Sequence, residues 1–285
     1  MQRSFPTLRA AARWLLLAAV SAAAGFALGV AASRPAPLSQ AAVLPTPSPA
    51  GQPAPGRNPG GSSLPGAAPP ASQAELPPLV CLTFDDGPSR TTPAVLAALE
   101  EAEVPATFFV VANENNESYL PLIRQAAQAG CEIALHSASH RYSDIYRSAD
   151  AFWEDIALLR QRIAPYVDDG EVRCLRFPGG STNTVSRKYG GDALMGQLKE
   201  QAEEQGWRWV DWNVSAEDAA GKKLSAEEVC RNVTGGSAGL ERCIVLMHDS
   251  ATTGTTAEAL PSIIRWYKEE GYAFCTVSQL YDALE

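Results

Sequence analysis

His136 and His140 stand four residues apart in Leu135-His136-Ser137-Ala138-Ser139-His140, and the third and last histidine of the chain, His248, closes the apolar run of residues 244–248. Upstream, the apolar stretch Val80-Cys81-Leu82-Thr83-Phe84 ends in two adjacent carboxylates, Asp85 and Asp86, followed by Gly87-Pro88. Two imidazoles and one carboxylate are the ligand set of a catalytic metal site that keeps a position open for water. A second carboxylate and a third imidazole are then free to move protons. The outline is that of a metal-dependent hydrolase.

Each motif has a plainer reading when taken alone. Asp85-Asp86-Gly87-Pro88 makes a turn after a strand. Two adjacent like charges are costly unless a cation compensates one of them, which favours a metal on Asp86 with Asp85 ionised beside it as a base. An isolated His-x-x-x-His pair can sit on one face of a helical turn with no further role. Arg176, at the head of Arg176-Phe177-Pro178-Gly179-Gly180-Ser181, can be an exposed loop arginine or can pair with Asp85 and orient it. The two glycines let a backbone N–H come close to a developing oxyanion. Asp211 can be a strand-end cap or the hydrogen-bond partner of His248 that favours the imidazolium. Trp212, its neighbour, suits a pocket wall, whereas Trp209 reads as core. His248 becomes the acid that protonates a departing amine, since imidazole titrates near neutrality.

Short apolar runs alternate with amphipathic stretches, as in a mainly parallel sheet with helical crossovers. Strands are expected over 79–84, 106–112, 132–135, 172–177, 207–212, 243–248 and 272–276. Helices fit 92–103, 119–129, 149–163, 191–205, 226–232, 256–270 and 277–284. Asp85, Asp86, His136, Arg176, Asp211 and His248 then all lie at C-terminal strand ends, the edge at which α/β barrels and doubly wound sheets place their sites.

The chain is acidic, with a formal net charge of −9. Residues 1–74 hold five arginines and no acidic residue, so the negative balance belongs wholly to residues 75–285 and argues against a nucleic-acid partner. Residues 14–33 are apolar or small and uncharged, long enough for a membrane helix, with Arg3, Arg9 and Arg13 placing the N-terminus inside. Residues 1–33 are therefore expected to be a cytoplasmic tip and signal anchor. The alternative is a signal peptide cleaved after Ala32. Either delivers the domain outside the cytoplasm. Residues 34–78 carry thirteen prolines and no aromatic residue, which predicts a disordered spacer. Residues 79–285 are long enough for one α/β domain. All six cysteines fall there, most in strand-like runs; buried thiols are expected, with one bridge left open.

The ordered motifs Thr83-Phe84-Asp85-Asp86-Gly87-Pro88, His136-Ser137-Ala138-Ser139-His140, Arg176-Phe177-Pro178, Asp211-Trp212 and Leu246-Met247-His248 resemble those of the polysaccharide deacetylase family, also known as the NodB-homology or carbohydrate esterase family 4 domain. The resemblance spans 79–285. It implies a distorted (β/α) barrel of about seven strands. It implies one divalent metal held by Asp86, His136 and His140, zinc foremost, with cobalt, nickel or manganese as alternatives. It further implies Asp85 as general base steered by Arg176, His248 as general acid tuned by Asp211, and Trp212 with Leu246 around the acetyl methyl. Gly179 stands where many members have an aromatic residue. It keeps the oxyanion N–H and removes a side chain from the groove wall. The expected activity is N-deacetylation of an extracellular polysaccharide, peptidoglycan first and a chitin-like oligomer second, by a monomer. An O-acetyl esterase on xylan and a non-catalytic glycan-binding module are the competing readings.

Overall fold

A computed structural model of the chain describes residues 77–284. The signal anchor at 14–33 and nearly all of the spacer at 34–78 lie outside them. Among the described residues no helix is long and apolar enough to cross a membrane.

Eight strands among the described residues, all parallel, form one sheet: β1 (Leu79–Asp85), β2 (Thr107–Val111), β3 (Glu132–Ser137), β4 (Cys174–Leu175), β5 (Arg208–Trp209), β6 (Val214–Ser215), β7 (Arg242–His248) and β8 (Ala273–Phe274). The order β5-β4-β3-β2-β1-β7-β6 curls into an open barrel. Strand β1 pairs along its length with β7, while its other edge is shared by β8 at Leu79–Val80 and β2 at Thr83–Asp85. Strand β8, expected over 272–276, is thus a short splice below β2, and the strand beyond the expected seven is the two-residue β6.

Among the described residues, nine helices cross between or follow these strands: α1 (Thr92–Ala102), α2 (Pro121–Gln128), α3 (Tyr142–Ile145), α4 (Ala149–Ile163), α5 (Val185–Gly190), α6 (Leu194–Glu204), α7 (Ala226–Ser237), α8 (Gly254–Glu269) and α9 (Val277–Asp282). The helix bounds expected at 149–163 agree with α4, where Ser148 caps the first turn by accepting from Ala151 N–H. The helix expected over 191–205 is in fact preceded by a separate α5. Gly190 lies against Leu194 and the Tyr146 carbonyl, and Gly191 adopts φ 83°, so the chain turns there.

The period-two pleat sorts the strand residues into two sets. Val80, Leu82, Phe84, Phe108, Val110, Ile133, Leu135, Val245 and Met247 face the helices in the larger core. Cys81, Phe109, Ala134, Cys174 and Val210 fill the barrel with Cys275. Asp85, His136 and Arg176 continue the inward set, as Leu246 and His248 do on β7. Alternation therefore delivers the chemistry-bearing side chains to the barrel mouth. All six cysteines are thiols, five of them buried, with Cys81 and Cys275 Sγ atoms 3.5 Å apart.

Candidate metal centre and active site

The end of β3 and the loop after it bring the two histidines together. His136 is buried, and its Nδ1–H donates to the Arg176 carbonyl at 2.8 Å. A carbonyl only accepts, so this bond fixes the tautomer and leaves Nε2 with a free lone pair. Burial pushes this imidazole below its ordinary pKa, although Asp85 and Asp86 pull the other way. The loop 137–140 is shaped by Asp155 of α4. Its carboxylate accepts from Ser137 Oγ (2.6 Å), Ala138 N–H (2.7 Å) and Ser139 N–H (2.9 Å), while His140 N–H donates to Ser137 Oγ at 2.8 Å. His140 takes φ 52° and turns its ring to within 5.1 Å of that of His136.

Asp86 comes from the turn after β1, at φ 71°. A non-glycine residue in the left-handed region costs about 1–3 kcal/mol, and two of the three candidate ligands carry that strain. Asp86 Oδ1 lies 3.1 Å from His140 Nε2 and 3.5 Å from His136 Nε2, yet it is buried and makes no hydrogen bond. Ligand atoms of Asp86, His136 and His140 all fall within 4.8 Å of one another. A desolvated carboxylate oxygen with no hydrogen bond, set against two imidazole nitrogens, is unfavourable in a packed protein and fits a divalent cation with a position left open.

Asp85 lies one residue earlier and inside the barrel. Arg176 Nη1 donates to Asp85 Oδ1 at 2.7 Å and to Thr83 Oγ1 at 2.8 Å. Its Nε reaches the Val210 carbonyl and Nη2 the Asp211 carbonyl. The guanidinium, fully buried, lies 4.0 Å from the Phe109 ring centroid. Asp85 Oδ2 is left facing His136 Nε2 at 3.8 Å. The expected pairing of Arg176 with Asp85 is therefore present, and Arg176 is not an exposed loop residue.

The expected partner of His248 is different. Asp211 does not touch it; both its oxygens are taken by Ser181, at 2.8 Å from N–H and 2.6 Å from Oγ. His248 Nδ1 instead bonds Asp218 Oδ1 at 2.8 Å, and its backbone N–H bonds Asp218 Oδ2 at 2.8 Å, where Thr256 Oγ1 also donates. The physical reason is the two-residue β6, which pairs with β7 in register Val214↔Val245 and Ser215↔Leu246. Only after this strand does the chain reach the His248 side of the mouth, so the loop carboxylate at 218 arrives and the one at 211 remains with the 177–181 turn. A run of two strand residues leaves almost no trace in a sequence; the signal was the cluster Glu217-Asp218. Burial lowers the His248 pKa, but the Asp218 hydrogen bond and charge, with Asp85 and Asp86, outweigh it and raise the value to about 9.

These groups line a cavity of about 460 Å³ together with Tyr142, Gly179, Trp212, Leu246 and Glu217. Gly180 needs its missing side chain, because a Cβ there would lie 2.9 Å from the Trp212 ring. Of the residues singled out in the sequence, Asp85, Asp86, His136, His140, Gly179, Trp212, Leu246 and His248 face this cavity. Arg176 and Asp211 support it from behind.

Residues 73–195 match the family model described as polysaccharide deacetylase. A bifunctional xylanase/deacetylase of Pseudobutyrivibrio xylanivorans is 33% identical over 210 residues, 72% of this chain; the chain spans only 30% of that protein's length. A peptidoglycan-N-acetylglucosamine deacetylase of Bacillus cereus is 32% identical over 71% of this chain and 87% of its own. The crystal structure of the catalytic domain of peptidoglycan N-acetylglucosamine deacetylase from Eubacterium rectale superposes with a TM-score of 0.67 and 36% identity, covering 71% of this chain and 90% of that one.

Proposed function

The chain belongs to the polysaccharide deacetylase family, and from that premise we propose that it hydrolyses N-acetyl groups on N-acetylhexosamine residues of an extracellular glycan, peptidoglycan foremost. The observation that carries this reading is the orphaned Asp86 Oδ1 between two imidazole nitrogens. Asp86, His136 and His140 would hold one divalent cation, zinc foremost, which would polarise the acetyl carbonyl and acidify water.

The chain's own residues supply the proton moves. Asp85 Oδ2 accepts a proton from the attacking water, its other oxygen held by Arg176 so that the lone pair keeps its aim. Gly179 N–H, which makes no hydrogen bond within the described residues, donates to the developing oxyanion. His248, charged through its Asp218 pair, gives a proton from Nε2 to the departing nitrogen, so one amide and one water become acetate and a free amine. Trp212 and Leu246 enclose the acetyl methyl. The apolar segment 14–33 and the proline-rich 34–78 fit an exported domain tethered at a membrane and lifted toward a cell-wall substrate.

Acetate release by the purified chain tests the reading. The expected result is release from peptidoglycan or N-acetylglucosamine oligomers, with matching free amine, abolished by chelator and restored by zinc. Release from acetylated xylan alone would replace the amidase reading with an esterase. Zinc binding with no release from any of the three would make it a glycan-binding module.

A further inference from the structure

Among the polar side chains that line the cavity, Asp218 is fully engaged, by His248 and by Thr256. The Tyr142 hydroxyl is not. It lines the cavity and makes no hydrogen bond within the described residues, although its ring is firmly placed. That ring sits edge-on to His140 at 5.4 Å and packs 5.9 Å from Tyr146, whose own hydroxyl donates to the Pro178 carbonyl at 2.8 Å.

The position of this hydroxyl is tied to Gly179. A Cβ at 179 would lie 3.2 Å from Tyr142 Oη, 3.5 Å from its Cε1 and 3.3 Å from Asn183 Cβ, and the residue has φ 79°. A side chain at 179 and the phenol at 142 therefore compete for one space, and here the phenol occupies it. The wall beside the free Gly179 N–H is built from α3, with a donor–acceptor hydroxyl at its surface. The same cavity carries Asp85, Asp86, Glu217 and Asp218, which disfavour an anionic group on the ligand. An uncharged hydroxyl is the matching chemistry.

We propose that Tyr142 is a specificity-determining residue whose hydroxyl hydrogen-bonds a sugar hydroxyl of the glycan unit bound in this cavity, a role that rests on the deacetylase reading. Tyr142→Phe tests it, since the ring contacts with His140 and Tyr146 survive. One neutral hydrogen bond corresponds to a roughly three- to ten-fold effect. The KM for an N-acetylglucosamine tetramer should rise by that factor, with kcat falling by less. The Kd measured calorimetrically in chelator, where nothing turns over, should rise alike. An unchanged KM and Kd would overturn the proposal. So would a fall in kcat at constant KM, which would make the hydroxyl an oxyanion donor. If the wild type released no acetate from the tetramer, the deacetylase reading would fail, and the ratio of the two Kd values would still decide the role of Tyr142.

Discussion

Strand β3 begins at one carboxylate and ends beside another, and the two are treated in opposite ways. At the N-terminal end, Glu132 accepts from Thr107 Oγ1 and Ser278 N–H at 3.0 Å each and from Ser278 Oγ, while Thr107 Oγ1 in turn accepts from Val277 N–H. This carboxylate locks α9 under the barrel. At the C-terminal end, Asp86 Oδ1 is buried and makes no hydrogen bond among the described residues, on a backbone strained to φ 71°. A satisfied charge consolidates a fold, whereas a desolvated, unsatisfied one destabilises it until something arrives. Asp249 lies between these cases: Thr92 donates to one oxygen, the other has no partner, and burial pushes its carboxyl up to about 7. The difference between the two ends separates what the barrel needs in order to stand from what it holds ready for a ligand.

Substitutions at the two ends should therefore give opposite patterns. Asp86→Asn is expected to reduce acetate release well beyond the roughly 100-fold seen on losing an outer partner of a metal ligand, while the Tm measured in chelator stays level or rises. A lowered Tm there would break the comparison. Asp155→Asn, which weakens the three bonds that shape the 137–139 loop, should weaken zinc affinity by about 10- to 100-fold in a chelator competition; unchanged affinity would mean that the loop holds its shape unaided.

At His248 the folded pKa is raised above the ordinary 6.5, so the charged acid and its ion-pair stabilisation are fully present below pH 6.5 and are lost as pH rises through about 9. Asp218→Asn should move the alkaline limb of kcat down by roughly one to three pH units, and a limb that stays in place would remove His248 from the acid role. The smallest effect on turnover should come from Glu132→Gln. Denaturant unfolding should show a loss of about 1.5–3 kcal/mol with kcat nearly untouched, and a kcat that fell with stability would show that the two ends are not separable.

The parts legible in the sequence are those where one residue type does one thing at a strand end. Asp85 and His136 close apolar runs, and the pleat carries both to the mouth as the spacing implies, while Asp86 and His140 follow in the turns just beyond. Arg176 was found for the same reason, although β4 spans only Cys174–Leu175 rather than 172–177. What escaped was set by short pairing and by partners from afar. β6 is two residues long, so the identity of the carboxylate on His248 hung on a register that no local pattern displays. Asp155 reads as one more polar position of an amphipathic helix, and only the packing of α4 against β3 reveals it as the organiser of the histidine loop. The unengaged hydroxyl of Tyr142 belongs to a four-residue helix with no periodicity to read.

Among the described strands, β5 and β6 end the sheet without pairing to each other, and residues 210–213 bridge the gap between them. Arg176 grips that bridge at two carbonyls, Val210 and Asp211, with the same guanidinium that aims Asp85. The barrel is thus a cylinder with a slit, and the clasp across the slit also aims the carboxylate proposed as the base. Whatever loosens the clasp, whether heat, denaturant or a shorter cation at 176, misdirects Asp85 at the same moment. On the proposed mechanism, turnover would double as a gauge of whether the wall is shut.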